Sequence, residues 1–457
     1  MKLISSLTRS ALGACSAAAM LAGCGGPASS SGQPASQSGQ PSLLPRLSAE
    51  SRPLTAPASK IAHVVIIIQE NRTIDDLFQF LPGANTQSYG LDSHGKTVPL
   101  KPEPLTAPYD LGHVHDNWVT EYNNGGMNGF DLEKKCTGGC PTVAYGYVPQ
   151  SEVQPYYEMA ETYAFGDEMF QTNQGPSFPA HQYLIRGTSA VSDGSNLYAA
   201  DNVGTSAGGG CDSPVGSKVK EINVTSGEEN ASTYPCFTVT SLPTELESAN
   251  VSWRYYQATT GAGVWNAVDA IYPLWSQGNE YDAHVIAPSS QVLTDISNNQ
   301  LASVVWITPT SAASDHAKTT DGSGPSWVAS IVNAIGKSQY WNDTAIFVTW
   351  DDWGGWYDHV KPPEYNKYEL GFRVPLIVIS PYAKRHYISH QQHEFGSILK
   401  FTETIFGLPS LQTTDGRSDD LSDCFDFNGP PMKFKHISVK YAPSYFFRQP
   451  SVKPDDD

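Results

Sequence analysis

The chain contains 457 residues and carries a formal charge of −18 at pH 7, from 28 Lys and Arg against 46 Asp and Glu. A chain of this length can bury a large core, which allows one large α/β unit with insertions or several domains. The acidic balance argues against nucleic acid as a partner, because phosphate backbones bind basic surfaces.

The N-terminal residues are typical of a bacterial export signal. Residues 1–26 have a basic start, an apolar middle that is too short for a membrane span, and a small-residue end. The segment Leu21-Ala22-Gly23-Cys24 resembles a lipobox, in which the cysteine is lipidated and becomes the mature N-terminus, whereas an ordinary cleaved signal fits less well. We therefore predict a lipoprotein signal peptide at 1–23 and an exported protein of the cell envelope, anchored to a membrane through Cys24.

A low-complexity segment follows the signal. From Gly25 to about Ser59 the chain is rich in Ser, Gln, Pro and Gly and almost uncharged. Such a composition buries too little apolar surface to fold, so residues 24–59 are predicted to be a disordered tether. The folded domain is then expected to span residues 60–457.

Two apolar runs end abruptly in polar side chains. The run after His63 ends at Glu70 and Asn71, and a later run ends at Asp351 and Asp352. Each run predicts a strand buried on both faces of a parallel sheet, and ligands in such sheets bind beyond the carboxyl ends of the strands. Oxygen-rich clusters of this kind usually hold a metal, although the first pair could instead begin a helix and the second could cap a turn.

A candidate nucleophile lies between the two runs. Ser177 follows Gly-Pro and precedes Phe-Pro, so the chain turns there before a helix predicted over Ala180–Ile185. A hydroxyl at a helix start lies among unpaired N–H groups that favour an anion, which suits attack on a phosphate. The alternative is that Ser177 only caps the helix. The segment is not the G-x-S-x-G turn of carboxylester hydrolases.

The middle of the chain has a different composition. Residues from about 188 to 300 are richer in Gly, Ser, Thr and Asn and are interpreted as an inserted cap region, with Trp253, Tyr255 and Tyr256 as its packing anchors. From about Thr413 onward, clusters of Asp and Pro predict a tail that lies on the surface.

The later half alternates predicted strands and helices. Strands are expected at Ser303–Ile307, Ala345–Thr349 and Val374–Ile379, and helices at Ser326–Ile335 and Phe395–Phe406. This rhythm predicts right-handed crossovers and a parallel sheet covered on both faces.

Cysteine usage agrees with export. Local disulfides are favoured between Cys136 and Cys140 and between Cys211 and Cys236, while Cys424 has no predicted partner. A zinc site is the alternative for the first pair, but no histidine lies near the second pair in the sequence.

Four histidines are candidates for phosphate contact or proton transfer: His113, His284, His316 and His359. Taken alone, a histidine in any one of these positions is more often structural than catalytic. The histidines interpreted as structural or solvated are His94, His386, His390, His393 and His436.

Several motifs together resemble the bacterial phosphoesterases that include phosphatidylcholine-type phospholipases C and exported acid phosphatases. The match spans about residues 61–409, in order. The matching residues are Glu70-Asn71-Arg72, Asp110 to His113, Gly126-Met127, Gly129-Phe130, Gly175 to Pro179, Ser314 to His316, Asp351 to Val360, and Phe372 to Pro381.

The resemblance implies an alkaline-phosphatase-like α/β/α fold with a mostly parallel central sheet. It also implies a divalent metal cation of unknown identity, held beside the nucleophile Ser177. The implied metal residues are Glu70, Asn71, Ser177, Asp351 and Asp352. His113, His284 and His316 would contact the phosphate or move protons, and His359 would either join them or support the metal ligands.

Departures from the family pattern favour one expected function over its alternatives. Asp352 stands where many relatives have Glu, Ser177 stands where phospholipases C more often have Thr, and the extra C-terminal β domains of the long phospholipases are not expected. We therefore expect an acid-phosphatase-like enzyme that hydrolyses phosphate esters through a phosphoserine. The alternatives are a phospholipase C-type phosphodiesterase acting on phospholipid and an inactive lipoprotein that uses the fold only to bind.

Overall fold

A computed structural model describes residues 60–132, 142–204 and 208–450, all within one compact unit. The predicted signal, the tether and the Cys136 and Cys140 pair lie outside the described residues. No helix among the described residues is long and apolar enough to cross a bilayer.

The strands of the described residues are short apart from two at the centre of the fold. In chain order they are β1 (His63–Gln69), β2 (Tyr89–Leu91), β3 (Thr97–Pro99), β4 (Lys101–Pro102), β5 (Gly146–Tyr147), β6 (Ala164–Gly166), β7 (Met169–Phe170), β8 (Leu197–Ala199), β9 (Val219–Asn223), β10 (Ala231–Thr233), β11 (Trp253–Tyr256), β12 (Val285–Ile286), β13 (Val304–Ile307), β14 (Thr344–Trp350), β15 (Leu376–Ile379), β16 (Tyr387–Ser389) and β17 (His393–Glu394).

The central sheet contains eight of these strands in the order β12-β11-β13-β1-β14-β15-β6-β16. All of them run in the same direction except β15, which is antiparallel to both of its neighbours. β1 and β14 pair along their whole length, and their apolar side chains are buried on both faces. Both strands are therefore rich in Val, Ile and Phe and contain no Asp, Glu, Lys or Arg, because neither face meets water.

Helices cover the sheet on both sides. They are α1 (Ile74–Leu77), α2 (His115–Tyr122), α3 (Gln154–Thr162), α4 (Ser177–Arg186), α5 (Leu242–Ser248), α6 (Tyr272–Trp275), α7 (Asn279–His284), α8 (Gln291–Ser297), α9 (Gly324–Gly336), α10 (Phe395–Phe406) and α11 (Pro443–Phe446). On β14, Phe347 packs against Phe401 of α10, and Trp350 packs against Tyr156 of α3. Side chains three positions apart on a strand point to opposite faces, so these contacts define two helical layers. The predicted α/β class and the mostly parallel sheet are confirmed.

Two predicted features differ from the structure. The strand at Leu376–Ile379 is present, but it runs antiparallel to β14 because residues 351–375 form an irregular loop and not a crossover helix. Trp253–Tyr256 lies in the central sheet between β12 and β13, so much of the predicted insertion belongs to the main fold. The three-stranded sheet β10-β9-β8 of this region lies outside the central sheet, and the predicted disulfide between Cys211 and Cys236 is formed.

The segment after Thr413 also differs from its expected surface position. Leu421 and Cys424 are fully buried, and Phe425 stacks on Phe401 of α10. The tail therefore completes one side of the core.

Candidate active site

The carboxyl ends of β1 and β14 bring four polar side chains together. Glu70 and Asn71 come directly after β1, and Asp351 and Asp352 come directly after β14. The backbone N–H of Asn71 donates to Asp351 Oδ1 at 3.2 Å, which joins the two strand ends. All four side chains are buried. The predicted convergence at one sheet edge is therefore present.

A glycine turn allows this close approach. Gly354 has φ +61°, and a Cβ added there would lie 2.4 Å from the backbone oxygen of Asn71. Only glycine tolerates both the left-handed backbone and the contact. The same turn lets the N–H of Gly354 donate to Asp352 Oδ1 at 2.8 Å, which fixes the orientation of that carboxylate.

Ser177 is the first residue of α4 and faces the carboxylates. Its hydroxyl donates to Glu70 Oε2 at 3.3 Å and lies 3.5 Å from Asp352 Oδ2. The N-cap residue of the helix is Pro176, so Ser177 does not fill the capping position that was its alternative interpretation. The N–H of Phe178 donates to Asn202 Oδ1 at 2.8 Å and holds the start of the helix in place.

Two of the predicted histidines reach this cluster. The Nε2 atoms of His113 and His316 lie 3.0 and 3.1 Å from the side-chain amide of Asn71. Their Nδ1 atoms donate to the backbone oxygens of Leu111 and Ala317, each at 2.7 Å. Because the backbone holds Nδ1, both rings present Nε2 to the site.

His181 also belongs to the cluster, although it is not among the predicted site residues. Its Nε2 lies 3.0 Å from Glu70 Oε1 and 3.7 Å from Asp351 Oδ2, and the ring is fully buried. His181 is four residues after Ser177 on α4, so the two side chains share one helix face. That spacing was the signal available in the sequence.

Two predicted histidines lie elsewhere. His284 ends α7, and its Nδ1 donates to the backbone oxygen of Trp253, at the amino end of β11 and therefore at the opposite edge of the sheet. His359 contacts Asp75 Oδ2 through Nδ1 at 2.7 Å and Asn85 Oδ1 through Nε2 at 3.1 Å. Both are removed from the proposed catalytic set.

The donor atoms of the cluster fit a divalent cation. Glu70, His181 and Asp351 each offer one ligand atom, and these atoms all lie within 4.8 Å of one another. Asp351 Oδ2 is buried and accepts no hydrogen bond from a described residue. The amide oxygen of Asn71 faces Glu70 Oε2 and Asp351 Oδ1 at 3.3 and 3.1 Å, so oxygen acceptors point at one another. A cation between them would satisfy all three oxygens, whereas without one the amide would turn over.

A buried scaffold lies behind the site. Arg72 does not enter the cluster: it donates to Asp76 Oδ1 at 3.1 Å and to the backbone oxygen of Asp315 at 2.9 Å. The carboxylate of Asp315 accepts hydrogen bonds from Tyr156 and Trp350 at 2.8 and 3.0 Å. Burial raises the pKa of Asp315 from 3.8 to about 7, in spite of these donors and of the nearby Arg72. This network fixes the backbone from which His316 extends.

The chain is similar to several known proteins. The chain matches the Phosphoesterase family over residues 61–409. Phospholipase C A of Mycobacterium tuberculosis is 25% identical over 441 residues, which cover 83% of this chain and 80% of the relative. The hemolytic phospholipase C of Pseudomonas aeruginosa is 26% identical over 453 residues, which cover 84% of this chain and 58% of the relative. A crystal structure of a protein in the alkaline phosphatase superfamily from Vibrio parahaemolyticus covers 79% of this chain and 70% of its own, with 10% identity and a TM-score of 0.36.

Proposed function

Because the chain belongs to the Phosphoesterase family and is a hydrolase of phosphoric ester bonds, we propose that it cleaves phosphate monoesters through a phosphoserine on Ser177. The observation that carries this proposal is the contact of the Ser177 hydroxyl with Glu70 at 3.3 Å, inside a cluster of buried metal-type ligands. A serine beside carboxylates has both a proton acceptor and a place for a charge-neutralising ion.

The residues that would hold the ion are Glu70, Asn71, His181, Asp351 and Asp352. When bound there, a divalent cation would neutralise charge on the phosphate oxygens and lower the pKa of the serine hydroxyl. Ser177 lies at the N-terminal end of α4, and the positive end of the helix dipole favours the negative charge of the phosphate.

In the first step the Ser177 oxygen attacks phosphorus in line, and its proton passes to a carboxylate of the cluster. The bond between phosphorus and the leaving oxygen breaks, and the alcohol takes a proton from Nε2 of His113 or His316. In the second step water attacks the phosphoserine and gives a proton to the same histidine. The bond between phosphorus and the Ser177 oxygen breaks, and that oxygen takes back the proton held by the carboxylate, which releases inorganic phosphate and restores the serine. Both histidines are oriented for this role because their Nδ1 atoms are bound to backbone oxygens.

A second candidate function is a phosphodiesterase of the phospholipase C type. It is supported by the relatives named phospholipase C, which are 25% and 26% identical to this chain over most of its length. The aromatic residues after Asp352 do not support it, because Trp353 and Trp356 are fully buried and Tyr357 is only 3% exposed. Exposed aromatic faces are what a choline headgroup would need. We therefore rank the monoesterase first.

One assay separates these functions. We expect the purified protein, with added divalent ions, to turn over p-nitrophenyl phosphate faster than p-nitrophenylphosphorylcholine. Preference for the choline diester would favour the second candidate function.

The matched variants test the nucleophile. Ser177→Ala should abolish turnover of either substrate, while Ser330→Ala, which removes a buried hydroxyl on α9 that bonds the backbone oxygen of Ser326, should keep it. Retained turnover in folded Ser177→Ala would refute the phosphoserine.

The cell-envelope location is proposed on the lipobox-like segment before Cys24. Mass spectrometry of the protein from a bacterial host should find a diacylglyceryl group on Cys24, and Cys24→Ala should release the protein from membranes. An unlipidated N-terminus after such expression would refute the anchor.

A further inference from the structure

A second cluster of metal-type ligands lies where the C-terminal segment meets the sheet. His393 begins β17, and Asp423 and Cys424 lie in a single 3-10 turn, Ser422–Cys424. One ligand atom from each of the three lies within 4.8 Å of the others, and His393 and Cys424 are fully buried. None of these residues belongs to the catalytic cluster.

The imidazole of His393 is oriented by a carboxylate. Its Nδ1 lies 2.9 Å from Asp419 Oδ2, and the other oxygen of Asp419 accepts a hydrogen bond from Ser397. Nε2 is therefore left facing Asp423 and Ser389. A carboxylate on one ring nitrogen, with the second nitrogen directed into a ligand cluster, is the usual arrangement of a metal-binding histidine.

Asp423 has one oxygen without a hydrogen bond. Its Oδ2 accepts from Ser389 and Tyr387, whereas its Oδ1 is buried and bonds no described residue. The side chain is only 10% exposed, and Oδ1 lies 3.9 Å from His393 Nε2. That gap is too long for a hydrogen bond, but an ion about 2.0–2.2 Å from each atom would bridge it.

From this geometry we propose that His393, Asp423 and Cys424 bind a soft divalent cation such as Zn²⁺, at a structural site separate from the catalytic one. A thiolate and an imidazole select for such an ion, whereas the oxygen-rich catalytic cluster suits harder ions. Ser389, whose hydroxyl lies 2.9 Å from His393 Nε2, offers a neutral oxygen for the fourth position.

The ion would fasten the C-terminal segment to the core. His393 precedes α10, and Phe425 stacks on Phe401 of that helix directly after Cys424. Burial raises the pKa of the Cys424 thiol well above its usual value, so binding must displace a proton to solvent. Without an ion, burial lowers the pKa of His393 but the carboxylates of Asp419 and Asp423 raise it by more, and the cluster would be a buried ion pair beside a thiol.

Cobalt substitution distinguishes these two states. The purified chain is dialysed against EDTA and titrated with Co²⁺. We expect a thiolate-to-cobalt charge-transfer band in the near ultraviolet that saturates within about two equivalents per chain, because the catalytic cluster also takes up the ion. Cys424→Ser should lose the band while its circular dichroism spectrum is unchanged. The double variant Cys136→Ser/Cys140→Ser and the catalytic-site variant Asp351→Asn should keep it.

A second variant keeps the proposal testable if Cys424→Ser does not fold. Asp419→Asn removes no ligand, and we expect it to weaken cobalt binding about 10–100-fold. Added Zn²⁺ should also raise the melting temperature of Asp351→Asn more than that of Asp351→Asn/Cys424→Ser. The absence of a thiolate band in the wild-type chain, or an equal band in Cys424→Ser, would overturn the proposal.

Discussion

The clearest quantitative prediction concerns Asp315, whose carboxyl lies behind the candidate active site. The carboxyl is fully buried, its Oδ2 accepts from Tyr156 and Trp350, and its Oδ1 accepts no hydrogen bond from a described residue. Asp315→Asn keeps an oxygen for both donors but cannot ionise. The substitution therefore imitates the protonated acid at every pH.

The sign of the effect follows from the raised pKa. Below the unfolded value of 3.8 both states hold the proton, so the carboxyl has its full favourable contribution. Between 3.8 and about 7 only the folded state holds it, so unfolding releases a proton and stability falls as pH rises. Above about 7 both states are ionised, and the stability contributed by the protonated carboxyl is fully lost.

The size of the loss can be worked from the same values. A rise of the pKa from 3.8 to about 7 corresponds to about 4 kcal/mol, at about 1.4 kcal/mol for each pH unit. Protein interiors screen charge more than a dry medium, so we expect about 1–3 kcal/mol in practice.

Urea unfolding at pH values from about 5 to about 8 measures this effect when both proteins are kept in EDTA. We expect the free energy of unfolding of Asp315→Asn, minus that of the wild type, to rise by about 1–3 kcal/mol over this range. Asp282→Asn removes an exposed carboxylate of α7 and is the charge-matched control, with a difference that should stay flat. A flat difference for Asp315→Asn as well would refute the reasoning.

Three further variants, with one control variant, test other parts of the structure. His181→Gln should weaken divalent-ion binding about 10-fold in calorimetric titrations, and unchanged affinity would remove His181 from the site. Gly354→Ala should lower the free energy of unfolding by at least about 1 kcal/mol and reduce turnover, because the residue has φ +61° and its Cβ would meet Asn71. Gly416→Ala, with nothing within 4 Å of the added Cβ, should change neither quantity. Arg373→Met should lose about 3–5 kcal/mol in urea unfolding, since it leaves a buried carboxylate unpaired, and a loss below 1 kcal/mol would contradict that assignment.

The strand ends were predictable from local sequence because burial on both faces leaves a simple pattern. An unbroken apolar run predicted β1, and its abrupt end placed Glu70 at the edge of the sheet. The same holds for β14 and Asp351. The contact with Ser177 depended on the resemblance to a family, because no local pattern joins residues more than a hundred positions apart.

The misplaced histidine shows what local sequence lacks. His284 precedes β12 directly, and β12 runs in the same direction as β1. A residue before such a strand lies at the amino edge of the sheet, whereas the site lies at the carboxyl edge. Which edge a histidine reaches depends on strand order and direction, and neither can be read from the residues around it. His181 was missed for a different reason. Its spacing of four residues from Ser177 is visible in the sequence, but the sequence does not show which face of the helix points towards the site.

The loop after β14 explains why His359 is absent from the cluster although it lies close to Asp351 in sequence. The next strand is antiparallel, so residues 351–375 must turn back at the active-site edge with no crossover helix to carry them. A buried ion pair holds the returning loop in place of such a helix. Arg373 donates to both oxygens of Asp358 at 2.8 and 3.0 Å, and to the backbone oxygen of Asp167 at 2.7 Å. His359 comes directly after Asp358, so it lies beside this ion pair and not in the cluster. The network holds the far end of the same loop whose first residue is Asp351, so loss of Arg373 should disturb the geometry of the carboxylates as well as the stability of the fold.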